Sequence, residues 1–163
     1  MEEKQMITTY LQMLNSSLIR KKTLLEKILK LTEEQHHAFQ EEKDTILILE
    51  ECVLKKEPLI RQLNEIDEGF DMVYSKIKES VITDPKQYKN EISELQKSIL
   101  SVTELGVKIQ SLEQMNKLKF EVYSKERRQE IKQFKMSNRT VTNYYKSMTG
   151  NPQGDSYFID KKK

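Results

Sequence analysis

Between its first residue and position 149 the chain carries only Pro58, Gly69, Pro85 and Gly106 as potential breaks, while Gly150, Pro152 and Gly154 crowd into the last fourteen positions. Proline removes a backbone donor and glycine loosens the backbone, so their scarcity leaves little to end a helix once it has begun. The chain must therefore form few and long elements. A third of its 163 residues are charged and 36% are hydrophobic, below the usual apolar share of a globular domain. Long helices, each burying one stripe, suit that mixture better than a thick core does.

The apolar spacing bears this out. Ile7, Leu11, Leu14, Leu18, Leu25 and Ile28 step by threes and fours, with Tyr10, Leu24 and Leu31 flanking and Lys21 and Thr32 interrupting. A second series runs through Leu49, Val53, Ile60, Leu63, Phe70, Ile77 and Val81, interrupted by Lys56, Asp67 and Tyr74. Asp44 is placed to cap this second helix by accepting a backbone N–H bond. Pro58 falls inside it and reads as a kink rather than a stop, because the stripe resumes at Leu59 and Ile60. Asp84-Pro85-Lys86-Gln87 then reads as a helix start, with Asp84 capping, Pro85 in the first position and Gln87 as its capping-box partner.

A third series follows through Tyr88, Ile92, Leu95, Ile99, Val102, Ile109 and Leu112, with Gly106 on or beside the stripe to admit a close neighbour. No stop appears before Met136, which gives a helix of roughly 50 residues, or some 75 Å. The expected fold is all-α: an elongated antiparallel three-helix bundle or coiled coil. Its helices cover about 3–41, 44–81 and 85–136 within a domain of residues 1–137, the third helix being over-long. Residues 138–163 are expected to form a flexible or loosely docked tail. From Met115 the third helix outruns its neighbours, and Met115, Leu118 and Val122 line one face while Phe120 and Tyr123 lie on another. Either those faces pack on the bundle and the tail, or they form an exposed patch for a partner helix.

Several function classes find no support. His36 and His37 are adjacent and point about 100° apart on a helix, and Cys52 is the only cysteine, so neither a metal site nor an activated thiol is indicated. No phosphate loop or nucleophile elbow occurs, so the expectation is a non-enzymatic protein without a cofactor. The cluster Lys125, Arg127, Arg128, Lys132, Lys135 and Arg139 is diluted by Glu126 and Glu130, which argues against nucleic acid. Net charge is only +2, yet residues 41–84 hold twelve acids against six bases and residues 125–163 ten bases against four acids. No run of about 18 apolar residues could enter a membrane. The single cysteine and the N-terminal MEEKQMITTY, which is unlike a signal peptide, imply a cytoplasmic protein.

Two stretches carry a family resemblance. The run LLEKILKLTEEQHHAFQEEKDTILILEECVLKKEPLIRQLNEIDEGF resembles the FlgN family of flagellar export chaperones of Gram-positive bacteria, and the terminal SYFIDKKK is similar to the aromatic-Asp-lysine ending of that family. The chain departs from the family pattern at Pro58 and at Lys43-Asp44, where a Gly-Asp turn is usual. The resemblance implies a bacterial cytoplasmic chaperone that binds C-terminal helices of hook–filament junction proteins. It would deliver them to the export gate and its ATPase components. Helical phase and the analogy together place subunit binding on Ile109, Leu112, Met115, Leu118 and Val122. Phe120, Tyr123, Tyr144 and Tyr145 are candidates for gate docking. The apolar triplet Tyr157, Phe158 and Ile159 either folds back over the third helix or docks elsewhere. The rival use of the same stripes is self-association, as in a generic coiled-coil scaffold.

Overall fold

The computed structural model describes residues 2–41, 43–127 and 135–150. Helix α1 spans Glu2–Glu41, α2 Thr45–Thr83, α3 Lys89–Glu126 and α4 Lys135–Gly150, with a 3₁₀ turn at Pro85–Tyr88 leading into α3. There is no strand among the described residues. The fold is an all-α helical bundle.

α1 is its central element and packs along both α2 and α3. Contacts rise together along α1 and α3: Ser98 donates to Asn15 at 2.6 Å, and near the far end Phe39 meets Tyr123 with ring centroids 6.2 Å apart. These two helices are therefore parallel. α2 runs against both, pairing Lys21 with Asp67 at one level and Gln35 with Lys56 at another. The predicted stripe of α1 is buried from Ile7 to Ile28, and Leu49, Val53, Leu63, Phe70 and Ile77 of α2 complete the layer. Burying aliphatic side chains of this size contributes about 1.5–3 kcal/mol each.

The connections differ in detail from the sequence reading. Asp44 starts α2 without a side-chain cap; its backbone sits in the left-handed region (φ 53°), and its carbonyl accepts the Ile48 N–H at 3.1 Å. Thr45 closes the turn by donating its hydroxyl to the Ala38 carbonyl. α2 passes through Pro58 without ending. Asp84 likewise makes no side-chain cap, although Pro85 does take the first position of the 3₁₀ turn.

The largest departure lies at the C-terminal end. α3 stops at Glu126, where the Arg127 N–H returns to the Tyr123 carbonyl at 3.1 Å. It does not reach position 136, and at 38 residues it matches α1 (40) and α2 (39) rather than exceeding them. No apolar side chain follows Tyr123 until Ile131, so a continued helix would find nothing to bury there. Residues 135–150, expected to be largely tail, form α4, which lies against α2. Among its described side chains Val141, Tyr144, Tyr145 and Met148 are buried, an i, i+3, i+4, i+7 set that defines one helical face.

Candidate helix-binding surface

One end of the bundle is organised around a buried charge. Lys56 of α2 has no exposed surface, and its ammonium places its three protons on three acceptors: Gln35 Oε1 of α1 at 2.5 Å, a carboxylate oxygen (Oε1) of Glu113 on α3, and the Tyr144 hydroxyl of α4 at 3.2 Å. Tyr144 in turn donates to Glu113 Oε1 at 2.7 Å. The Thr32 hydroxyl lies between the Ile28 carbonyl (2.7 Å) and Glu113 (3.2 Å), and Asn116 donates to the Thr32 carbonyl at 3.1 Å. All four helices thus meet on one ion pair.

This setting moves the titration of its members. Burial lowers the Lys56 pKa against the opposing pull of Glu113. Burial also raises the Tyr144 phenol well above its ordinary range, with the Glu113 carboxylate acting in the same direction. Nearby, burial and the Glu34 carboxylate push the Cys52 thiol up to about 11, so it is protonated at neutral pH and poorly nucleophilic.

The centre also fixes the rotation of α3. Leu95, Val102, Gly106, Ile109, Glu113, Asn116 and Phe120 face inward. On the opposite side Leu100, Val107, Met115, Leu118 and Val122 are all exposed; at 100° per residue they fall within an arc of roughly 80°. From Val107 to Val122 no charged residue enters that arc. Exposed Leu47, Leu54 and Met72 of α2 are separated by Glu51, Arg61 and Glu65 on their own outward face, and Ile82 lies off it. α1 exposes Met6, Met13 and Ile19, fewer than the five of α3. The α3 arc borders a groove of about 380 Å³ between α1 and α3, lined by Phe39, Leu118, Lys119, Val122, Tyr123, Glu126 and Arg127. The Arg127 guanidinium stacks 4.8 Å above the Tyr123 ring at its mouth.

The residues singled out for subunit binding therefore separate. Met115 (48% exposed), Leu118 (62%) and Val122 (56%) share the outer arc, Leu112 is half-buried, and Ile109 is fully buried in the core. Among the aromatic residues assigned to gate docking, only Tyr123 reaches the groove. Phe120, Tyr144 and Tyr145 are buried, and the rings of Phe120 and Tyr145 pack 5.3 Å apart. They join α4 to α3 and are not available at the surface. Tyr157, Phe158 and Ile159 lie outside the described residues. The His36 and His37 rings lie edge to face with centroids 6.2 Å apart, and His36 faces Asn116. Among the described residues no three His, Cys, Asp or Glu side chains are grouped to hold a metal, and no helix is long and apolar enough to cross a membrane.

Sequence reasoning missed the polar centre, although two of its members, Thr32 and Lys56, stood out as interruptions of the apolar stripes. A carboxylate at position 113 beside Leu112 is the signal that could have paired with Lys56. Comparison with known proteins found no matching family model, no matching curated protein and no matching solved structure.

Proposed function

We propose that the protein is a helix-binding chaperone that seats amphipathic segments of other proteins along the outer side of α3. The observation that carries this reading is the uncharged arc from Val107 to Val122, whose apolar side chains are 48–62% exposed beside the groove between Phe39 and Tyr123. A continuous apolar strip of that length on a well-supported helix suits the i, i+3, i+4, i+7 anchors of a partner helix. Its supports, Ile109, Glu113, Asn116 and Phe120, are locked in the core, so the strip is preformed and partner binding does not have to order it.

The FlgN resemblance of the first two helices and of the terminal SYFIDKKK supports C-terminal helices of hook–filament junction proteins as the clients, and flagellar export as the context. Tyr123, stacked under Arg127, is the remaining aromatic candidate for contact with the export gate. Ordering a client segment costs several kcal/mol of the gross interaction, which keeps such complexes releasable.

Calorimetric titration with C-terminal peptides of hook–filament junction proteins tests this. Micromolar or tighter binding with a negative heat-capacity change is expected, and the double substitution Met115→Asp/Leu118→Asp should abolish it while leaving helicity intact. Both side chains are exposed, so the change should alter stability by no more than about 1 kcal/mol. Binding that survives the double substitution would refute the assigned strip. Concentration-dependent sedimentation that the same substitution abolishes, with no peptide binding, would instead identify the strip as a self-association surface.

A further inference from the structure

We propose that the groove between α1 and α3 is the seat of residues 155–160 of the same chain, with Tyr157, Phe158 and Ile159 packed against Phe39 and Tyr123. The seating itself needs no client. Its consequence, that this segment and a client compete for one end of the outer strip, rests on the chaperone reading.

The occupant is defined by the sequence. Between Met148 and Lys163 the only hydrophobic residues are Tyr157, Phe158 and Ile159, three consecutive side chains outside the described residues that no part of the bundle yet accounts for. A seated aromatic ring buries about 150–250 Å², a gain that a solvated segment forgoes.

The α1–α3 groove offers a matching seat. Phe39 and Tyr123 meet edge to face with ring centroids 6.2 Å apart, and the exposed Leu118 and Val122 form an outer wall. Its volume of about 380 Å³ suits a few side chains of an extended segment. The groove of about 450 Å³ between α2 and α4 is the alternative seat. There Val53, Tyr144 and Met148 are already buried, which leaves the half-buried Ile60 as its one accessible aliphatic wall.

Reach and charge agree with this seat. α4 anchors the segment at the same end of the bundle, with its Tyr145 ring 5.3 Å from Phe120, about one turn before Tyr123. The seven residues from Gly150 to Tyr157 extend to roughly 25 Å, about two helix diameters, which is enough to round α3. Asp155 and Asp160 bracket the triplet, at most roughly 18 Å apart when extended. Lys119 and Arg127 line the groove roughly 12 Å apart along α3. Lys119 makes no ion pair among the described residues, whereas Glu126 stands in the groove beside Arg127, so the attraction is weighted to the Lys119 end. Leu118 and Val122 belong to both the groove and the outer strip, and the seated segment therefore covers one end of the client surface.

Nuclear magnetic resonance of the full-length chain and its Tyr157→Ser/Phe158→Ser/Ile159→Ser variant tests the seat. The side-chain signals of Phe39, Leu118, Val122 and Tyr123 should differ between the two, while those of Leu25 and Ile28 should not. Val122→Asp in the otherwise unchanged chain should move the Ile159 methyl signals to their positions in the unfolded protein. Unchanged groove signals, or changes confined to the α2–α4 side, would overturn the proposal. So would changes that disappear on dilution, because a second copy would then supply the segment. Titration with the junction-protein peptides separates this proposal from the client reading. The triple variant should bind them roughly tenfold more tightly than wild type, as expected if the segment covers the groove about nine-tenths of the time. Equal binding by the two chains would show that the segment does not cover the strip. Binding by neither would refute the client reading, and the groove signals alone would then decide the seat.

Discussion

Removing either member of the Lys56–Glu113 pair should cost more than any single core truncation of similar size, and the two losses should not add. Lys56 is buried without exposed surface and Glu113 nearly so. With Glu113→Leu, the ammonium keeps Gln35 and Tyr144 but loses its only counter-charge. Its cheapest escape is to give up a proton, and from an ordinary pKa near 10.4 that costs about 5 kcal/mol at pH 7. With Lys56→Met, Glu113 keeps the Thr32 and Tyr144 hydroxyls but is left as a buried charge without its partner, at a cost of about 3–5 kcal/mol. Each single variant thus carries a charge penalty of this order. The double variant Lys56→Met/Glu113→Leu buries no charge, and what remains is the Tyr144 hydroxyl and the Gln35 amide left unpaired, at about 1–3 kcal/mol each. It should therefore be more stable than the sum of the singles by about 3 kcal/mol or more.

Urea unfolding followed by far-ultraviolet circular dichroism measures all four chains. pH tests the escape route of Lys56. In Glu113→Leu the folded ammonium holds its proton less tightly, so that variant should gain as pH rises from 7 towards 9. Singles within about 1 kcal/mol of wild type, or a double equal to their sum, would mean that the pair is not desolvated as drawn.

Two further outcomes follow from the same centre and its neighbour. Tyr144 and Tyr145 both titrate above the ordinary phenol value of 10.0 because they are buried, so the stability they lend is complete below that pH and is lost as pH climbs past it and the unfolded phenols ionise. Lys56 acts in the opposite sense, since its lowered pKa makes stability rise with pH up to its unfolded value of 10.5. The chain should thus lose stability above pH 10, and Tyr144→Phe should flatten that loss in an alkaline series of urea titrations; an unchanged slope would refute the assignment. The Cys52 thiol, raised to about 11 and buried, should react with dithiobis-nitrobenzoate at pH 8 only as fast as the protein opens. Reaction at the rate of a free thiol would place it at the surface.

The long helices were legible because their signal is periodic and repeated: six stripe residues of α1 and five of α2 named from spacing alone are buried. The end of α3 was not legible, because the polar run 124–130 holds no helix breaker; α3 ends where its apolar side chains give out after Tyr123. α4 was hidden for the opposite reason. Its Ser, Asn and Thr residues have weak helix propensity, and they mask a four-residue face that only a partner makes worth burying. The binding surface was half legible. Periodicity placed Met115, Leu118 and Val122 together, but it could not tell which side of α3 the bundle takes, and so Ile109 and Phe120 were placed outside when they are core. Pairing Glu113 with Lys56, 57 positions apart, would have fixed that rotation.

The interruptions themselves do structural work of another kind. Leucine stripes on long helices tolerate sliding by seven residues, because one aliphatic layer resembles the next. The polar contacts do not. Sliding α3 by seven would bring Gly106 or Phe120 to the place of Glu113, and sliding α2 by seven against α1 would bring Ile60 or Tyr74 to the place of Asp67, which now meets Lys21 at 2.8 Å. Each slipped register strands a buried ammonium without a carboxylate, at a cost of about 3–5 kcal/mol. The two pairs lie at different levels, so together they select one alignment of all three long helices. The double variant Lys56→Met/Glu113→Leu removes one of these locks. It should therefore show doubled or exchange-broadened amide signals along α3 in nuclear magnetic resonance spectra, despite its modest loss of stability. A single sharp set of signals would show that apolar packing and the Lys21–Asp67 pair already fix the register, and that the central pair serves to hold α4 instead.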